Sequence, residues 1–213
     1  MGCSVKRVGL ENFPQKGPGI CVGNHEPILA AMALVAALPR DDVLVAAQDS
    51  LPTAVPEQYR TLFVPFRSHG EPGDLWGKIL SRCYHFVFPL GLTRIDNKKS
   101  IQVVTKHIDN GGILVFLPTH GEPIKYKWRH GLARIINGLE DPGRTKLVNC
   151  DAAGVSYLDL VRILPCAART LPTAIIRVNF FDAHTLENYS GKQARELSKQ
   201  LHDEYCEKRP KTQ

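Results

Sequence analysis

The sequence predicts an α/β fold, a single domain with a mostly parallel central sheet flanked by helices. Short apolar runs alternate along the chain with longer segments in which apolar residues recur every three or four positions. Residues 43–47 and 113–117 are apolar throughout, as expected of strands that are covered on both faces of a parallel sheet. This alternation of strands and helices is typical of sheets built from helical crossovers.

In the first half of the chain we predict strands at residues 20–22, 42–47 and 59–66, and helices at residues 28–38 and 74–84. Pro27 fits the first turn of the first helix, where a missing N–H group costs nothing. Pro65 is expected to break the third strand, because proline donates no hydrogen bond. Short extended pieces are expected at residues 86–88 and 92–95.

In the second half we predict helices at residues 98–110, 130–137 and 191–206, and strands at residues 113–117 and 173–181. The first of these helices places Ile101, Val104 and Ile108 on one face. The last is amphipathic, with an apolar stripe of Ala194, Leu197, Leu201 and Tyr205. We expect one domain over residues 1–213, with a core at about residues 19–181 and this helix at about residues 191–206.

Composition narrows the class of protein. The chain has 213 residues, of which 43% are hydrophobic and 23% charged, as in an ordinary folded protein. Its net charge of +6 suggests an anionic partner: nucleic acid, a membrane surface, or a phosphorylated or CoA-linked substrate. The six cysteines lack the spacing of a metal or redox motif, so we expect reduced thiols in a cytoplasmic protein. The longest apolar stretch, residues 28–38, is shorter than the ~20 residues of a spanning helix; peripheral membrane contact is compatible with this.

The dipeptide Asn24-His25 stands between the apolar run at residues 19–23 and the first predicted helix. A histidine at a strand end is accessible to a substrate, and an imidazole is a natural general base near neutral pH. Alternatively, His25 caps the helix or fills a polar gap. Taken alone, the residue favours the structural interpretation, and the rest of the chain shifts the balance towards a base.

Two other polar segments lie at predicted strand ends, where reactive groups of α/β sheets gather. One contains Arg94, and the other covers residues 118–123 and leads into a basic stretch at residues 125–130. A base beside cations suits an acceptor hydroxyl on a phosphorylated molecule. The alternative is a solvated charged face, which we favour for Lys98, Lys99 and Lys106.

In order and spacing, these segments resemble the PlsC-like family of lysophospholipid and glycerol-phosphate acyltransferases. The family carries Asn-His followed by four residues and Asp, then an arginine at a strand end, then a Phe-Pro-Glu-Gly-Thr segment. Asn24-His25 matches the first motif and Arg94 the second, and residues 111–118 lead into the third. Residues 127–135 are similar to the helix start that follows, and residues 148–157 and 173–181 to the last sheet strands. The resemblance spans roughly residues 19–181.

The resemblance implies acyl transfer. His25 would deprotonate an acceptor hydroxyl, whose oxygen attacks the thioester of acyl-CoA or acyl carrier protein. The acceptor would be a phosphate-bearing molecule or a lipid, and neither a metal nor a cofactor is expected beyond the acyl-thioester co-substrate. Catalytic roles fall to His25 and Glu122, and substrate-binding roles to Asn24, Arg94, Pro118, Thr119, His120, Gly121 and Lys127.

The chain departs from the family pattern at three places. Ala30 stands where the family has the aspartate that orients the histidine, so His25 needs another partner, with Asp49 or Glu122 as candidates. Thr119 stands at the glutamate of the third motif; either Glu122 restores the acid through a loop shift, or that role is lost. The proline of the fourth motif has no clear match: Asp151 or Ala152 lies near its place, and Pro165 comes later in the chain.

The sequence also raises three alternatives to acyl transfer: a non-catalytic relative, a metal-dependent hydrolase and nucleic-acid binding. A non-catalytic relative would bind acyl chains, CoA or anionic lipid, and the alanine at position 30 favours it. A metal-dependent hydrolase using His25, His120 and Glu122 is disfavoured, because their spacing is unlike that of a known metal motif such as His-Glu-x-x-His. Nucleic acid is not an expected partner, because the basic residues are dispersed and match no recognised binding motif.

Overall fold

The computed structural model of the chain describes residues 3–23, 28–48, 63–66, 96–118, 128, 130–154 and 173–208. Within these ranges the strands are β1 (Cys3–Val8), β2 (Gly19–Gly23), β3 (Val43–Gln48), β4 (Phe63–Phe66), β5 (Ile113–Phe116), β6 (Lys146–Ala153), β7 (Ala174–Phe180) and β8 (His184–Thr185). The α-helices are α1 (Ile28–Ala37), α2 (Asn97–Asp109), α3 (Gly131–Ile136) and α4 (Ala194–Lys208). The helix predicted at residues 74–84 and the extended pieces at 86–88 and 92–95 lie outside the described residues.

The strands form one sheet in the order β1-β7-β6-β2-β5-β3-β4, with β8 pairing to β6. All neighbouring pairs from β6 to β4 are parallel, and β1 is parallel to β7. Only the junctions of β6 with β7 and β8 are antiparallel among the described strands. The prediction of a mostly parallel central sheet flanked by helices is confirmed.

The core lies on both faces of the sheet. Alternate residues of β2 divide between the two faces: Ile20 and Val22 pack under α2, α3 and α4, whereas Cys21 packs under α1. Every residue of β2 is buried. The continuous apolar runs in the sequence therefore arise because the central strands are covered on both sides.

The helix faces that the sequence predicts as apolar are the faces that pack against the core. In α2, Val104 and Ile108 are buried and Ile101 is partly buried against the same cluster. The helix begins at Asp96, whose side chain accepts a hydrogen bond from the Lys98 backbone N–H at 2.9 Å. In α4 the buried residues are Leu197, Ser198, Leu201 and Tyr205. No described helix is long and apolar enough to cross a membrane.

Two expectations about strands need correction. The third strand is not broken at Pro65, because β4 runs through it and pairs Pro65 with Ala47. Among the described strands β4 is terminal, so the missing N–H of proline interrupts no ladder on its outer side. Strand β1 was not predicted from the sequence. Its charged residues, Lys6 and Arg7, hide the strand pattern that pairing with β7 reveals.

One arginine, Arg40, joins the connections that precede β2, β3 and β5, at the edge of the sheet where these strands begin. The Arg40 side chain is 9% exposed and forms an ion pair with Asp42, with 2.7 Å between Nε and Oδ1. It also donates to the backbone carbonyls of Gly17 at 2.6 Å and Gly111 at 2.7 Å. These partners precede β2, β3 and β5, so one guanidinium joins three connections. The hydrogen bond from Arg40 lowers the pKa of the Asp42 carboxyl group.

We expect Arg40→Gln to lower the free energy of unfolding by about 2–3 kcal/mol, because charge-assisted hydrogen bonds to two carbonyls and a carboxylate are lost. Urea unfolding measures this loss, with Arg134→Gln on the exposed face of α3 as the matched control.

The same variant has a predictable pH dependence. Because the pKa of Asp42 is lowered in the folded chain, its contribution is fully present above its ordinary pKa of about 4. That contribution is lost as the pH falls through the folded-state value. Arg40→Gln should therefore lose less stability than the unsubstituted chain on acidification. An equal acid response, or a loss no larger than in Arg134→Gln, would contradict the assigned role.

Candidate functional site

The carboxyl ends of three neighbouring strands meet at one edge of the sheet. Strand β2 lies between β5 and β6 and is parallel to both, with Val22 beside Phe116 and Gly23 beside Cys150. In the sequence, Asn24-His25 follows Gly23 directly, and residues 117–118 follow β5. The strands that lead into the first and third sequence motifs are therefore adjacent. Functional sites of open α/β sheets form at such edges.

Of the predicted site residues, the structure describes only Pro118, which is partly buried two residues after the end of β5. The others lie outside the described residues and stay predictions: Asn24, His25, Arg94, Thr119, His120, Gly121, Glu122 and Lys127. Asp49, a predicted alternative partner of His25, also lies outside them. The structure describes strands and helices that precede and follow these positions in the chain.

Helix α1 crosses close behind the end of β2. A Cβ atom on Gly23 would lie 2.6 Å from Cδ2 of Leu34, so a glycine at the strand end permits this approach. Leu34 and Ala37 are completely buried, and Ala33 is nearly so. Residue 30 lies one turn before Leu34 on the same helix. The close crossing thus fixes the backbone of position 30 relative to the strand that precedes His25.

The end of β5 is walled by aromatic side chains. The rings of Phe66 and Phe116 meet edge to face at 6.4 Å. A Cβ atom on Gly131, the first residue of α3, would lie 3.3 Å from the Phe116 ring, so α3 starts directly against this wall. Apolar surface therefore lies beside the strand that leads to Pro118.

Trp128 anchors the far end of the segment that contains the third motif. It is 6% exposed and packs against α4, with its ring centroid 5.3 Å from that of Tyr205 and 5.8 Å from that of His202. His130 Nδ1 lies 3.3 Å from Ser198 Oγ on the same helix. The segment of residues 119–127 is thus followed in the chain by a residue that packs in the core, Trp128.

Two buried polar residues near the carboxyl end of β6 escaped the sequence analysis as site candidates. Asn149 is 2% exposed and Asp151 is 5% exposed. Asn149 is the register partner of Val22, and Asp151 lies one residue beyond the partner of Gly23. Asp151 joins the candidate site because its buried carboxylate lies on a strand paired with β2, near the level at which β2 ends. The indication in the sequence was two polar residues alternating within a strand that is otherwise largely apolar.

A pair of thiols lies on the opposite face of the same strands. Sγ of Cys21 and Sγ of Cys150 are 2.9 Å apart, and both side chains are completely buried. Burial and the contact with Cys21 raise the pKa of the Cys150 thiol. Because a thiol with a raised pKa is a poor nucleophile, Cys150 contributes packing rather than chemistry. Among the described residues, neither Cys21 nor Cys150 is in a disulfide bond.

With this geometry in view, the fold is similar to the crystal structure of PlsC, the 1-acyl-sn-glycerophosphate (LPA) acyltransferase of Thermotoga maritima. The TM-score is 0.50 and the sequence identity 13%, over 95% of this chain and 68% of that chain. No protein-family model matches the chain, and no curated protein does. At this identity the likeness supports the family resemblance at the level of the fold.

Proposed function

We propose that the protein transfers an acyl group from a CoA or acyl-carrier-protein thioester to a hydroxyl group of a phosphate-bearing or lipid acceptor. The observation that carries this proposal is the pairing of β2 with β5. Because of this pairing, the strand followed by Asn24-His25 and the strand followed by residues 118–123 are neighbours in the sheet. The fold likeness to a lysophosphatidic acid acyltransferase supports the same reaction class.

In the proposed reaction, His25 removes the proton of the acceptor hydroxyl as its oxygen attacks the thioester carbonyl. The new C–O bond forms, the C–S bond breaks, and the sulfur leaves as a thiol with the proton returned from His25. Arg94 and Lys127 hold the phosphate group, which suits their charge and hydrogen-bonding capacity. Pro118, Thr119, His120 and Gly121 contribute to substrate binding, and Glu122 supplies the acid of the altered third motif.

The carboxylate that the family places at position 30 needs a substitute in this chain. We propose Asp151, because it is buried on the strand next to β2, near the level at which β2 ends. A carboxylate beside a histidine base fixes its tautomer and stabilises its protonated form. In this assignment Asp151 is a positioning residue that acts through His25.

The second candidate function is a non-catalytic relative that binds acyl chains, CoA or anionic lipid. The alanine at position 30 favours it, because the chain lacks the family carboxylate there. The two functions differ in turnover: the enzyme releases thiol only when an acceptor is present, whereas the binder retains the donor unchanged.

We expect His25→Ala to lower acceptor-dependent thiol release by about 100- to 10,000-fold, the usual contribution of a general base. The assay combines acyl-CoA or acyl-carrier-protein donors of several chain lengths with a panel of phosphate-bearing and lipid acceptors. His107→Ala, at the opposite edge of the sheet beside Asp42, is the control for loss of a histidine. Full turnover in His25→Ala would exclude it as the base, and donor binding without turnover by the unsubstituted chain would favour the non-catalytic relative.

We expect Asp151→Asn to lower kcat by about 100-fold while KM changes little, because the imidazole loses its orienting charge. The single variant Ala30→Asp should change kcat little. In the Asp151→Asn background, however, the new carboxylate at position 30 should restore part of the rate. The pH dependence of kcat/KM is the second measurement, because a lost carboxylate lowers the apparent pKa of the base.

Rescue of Asp151→Asn by Ala30→Asp distinguishes a role of Asp151 in positioning His25 from a role in folding. If Ala30→Asp alone raises kcat strongly, His25 has no effective carboxylate partner in this chain and Asp151 is not that partner. If Asp151→Asn lowers only the unfolding free energy and leaves both kcat and the pH profile unchanged, Asp151 has a structural role.

A further inference from the structure

One face of the sheet is exposed where β1 and β7 pair. The registers Ser4–Ile175, Lys6–Arg177 and Val8–Asn179 place these side chains on the same face. The alternate residues of β7 are buried on the other face, under α1. On the exposed face Ile175 is 64% exposed and Val8 42% exposed. We call Lys6, Val8, Ile175 and Arg177 the sheet-end patch.

The patch holds two cations side by side. Lys6 and Arg177 are register partners on strands about 4.8 Å apart, and like charges directly opposite each other are destabilising. Neither forms a salt bridge within the described part of the chain, and the six paired positions contain no acidic residue. Both side chains are exposed. An anionic group bound between them would relieve their repulsion.

The patch lies towards the edge of the sheet that carries the candidate site. Strand β7 is antiparallel to β6, and Arg177 pairs with Ala153, the last residue of β6. A Cβ atom on Gly154 would lie 2.7 Å from the carbonyl oxygen of Ile175, which places Ile175 at the same level. The carboxyl end of β6 and the exposed Ile175 are therefore found at one edge.

We propose that the sheet-end patch docks the protein on an anionic lipid bilayer. Lys6 and Arg177 contact the lipid phosphates, and Val8 and Ile175 enter the interface between head groups and acyl chains. The chain's net charge of +6 is complementary to such a surface. A second copy of the patch would bring four cations together, and the patch has no aromatic side chain on which a nucleic-acid base could stack.

The purpose of this docking rests on the proposed function. Docking through the sheet-end patch would present the candidate site to an acceptor that resides in the membrane. The docking itself needs no acyl donor. Binding can therefore be measured separately from acyl transfer, and the two proposals can fail independently.

The test is co-sedimentation of the full chain with vesicles of phosphatidylcholine alone and of phosphatidylcholine containing phosphatidylglycerol. We expect binding to the anionic vesicles only, and its loss at high salt. Each cation at the surface contributes about fivefold to binding, so Lys6→Glu with Arg177→Glu should lower the partition coefficient by about 25-fold or more. The matched control is Arg195→Glu with Lys199→Glu, which makes the same charge change on the exposed face of α4.

Substitution of Val8 and Ile175 tests whether the apolar residues of the patch enter the bilayer interface. Val8→Thr with Ile175→Thr keeps the β-branched shape and should weaken binding several-fold without changing its salt dependence. Circular dichroism and urea unfolding establish that each variant folds.

The proposal is overturned if the unsubstituted chain does not bind anionic vesicles, or if the control pair loses as much binding as the patch pair. It is also overturned if the patch substitutions abolish self-association or nucleic-acid binding while vesicle binding persists. Turnover on a detergent-dispersed acceptor without vesicle binding would reject docking and retain acyl transfer; vesicle binding without turnover would do the reverse.

Discussion

Strand β2 is paired on both edges and covered on both faces, and this burial governs the rest of the molecule. All five of its residues are buried, with β5 on one side and β6 on the other. An unpaired polar side chain within such a strand would lose its hydration without compensation. Polar chemistry therefore has to begin where the strand ends, which is where the sequence places Asn24-His25.

The two edges of the sheet are built differently. At the edge where the central strands begin, Arg40 joins three connections through a carboxylate and backbone carbonyls. At the opposite edge, Gly23 admits α1 close behind β2, while Phe116 meets the start of α3. One edge concentrates interactions that hold connections together, and the other brings strand ends and helix starts near one another. This division is typical of parallel α/β sheets.

Strand β6 carries two of the buried polar side chains in the described part of the chain. Its buried Asn149 and Asp151 occupy the half of the strand that lies beside the end of β2. Sequences usually depart from local consistency where function or strain requires it. The buried thiols Cys21 and Cys150 occupy the other face of the same strands, within the apolar layer under α1. The two faces of one strand pair thus carry different chemistry.

The sequence by itself determined the elements that rest on local periodicity. The apolar run of β5, the buried stripe of α2 and the amphipathic pattern of α4 were all predictable, because side-chain spacing directly reflects which face is buried. The order of Asn24-His25, Arg94 and residues 118–123 indicated a reaction class through its resemblance to the PlsC-like family. Tertiary structure alone decided that β2 lies between β5 and β6 and that β7 runs antiparallel to β6. It also decided that Pro65 lies in a strand that is terminal among those described and that residues 3–8 form β1. It placed Asp151 near the level at which β2 ends. These features depend on contacts between residues far apart in the chain, and local periodicity carries no information about which strands become neighbours.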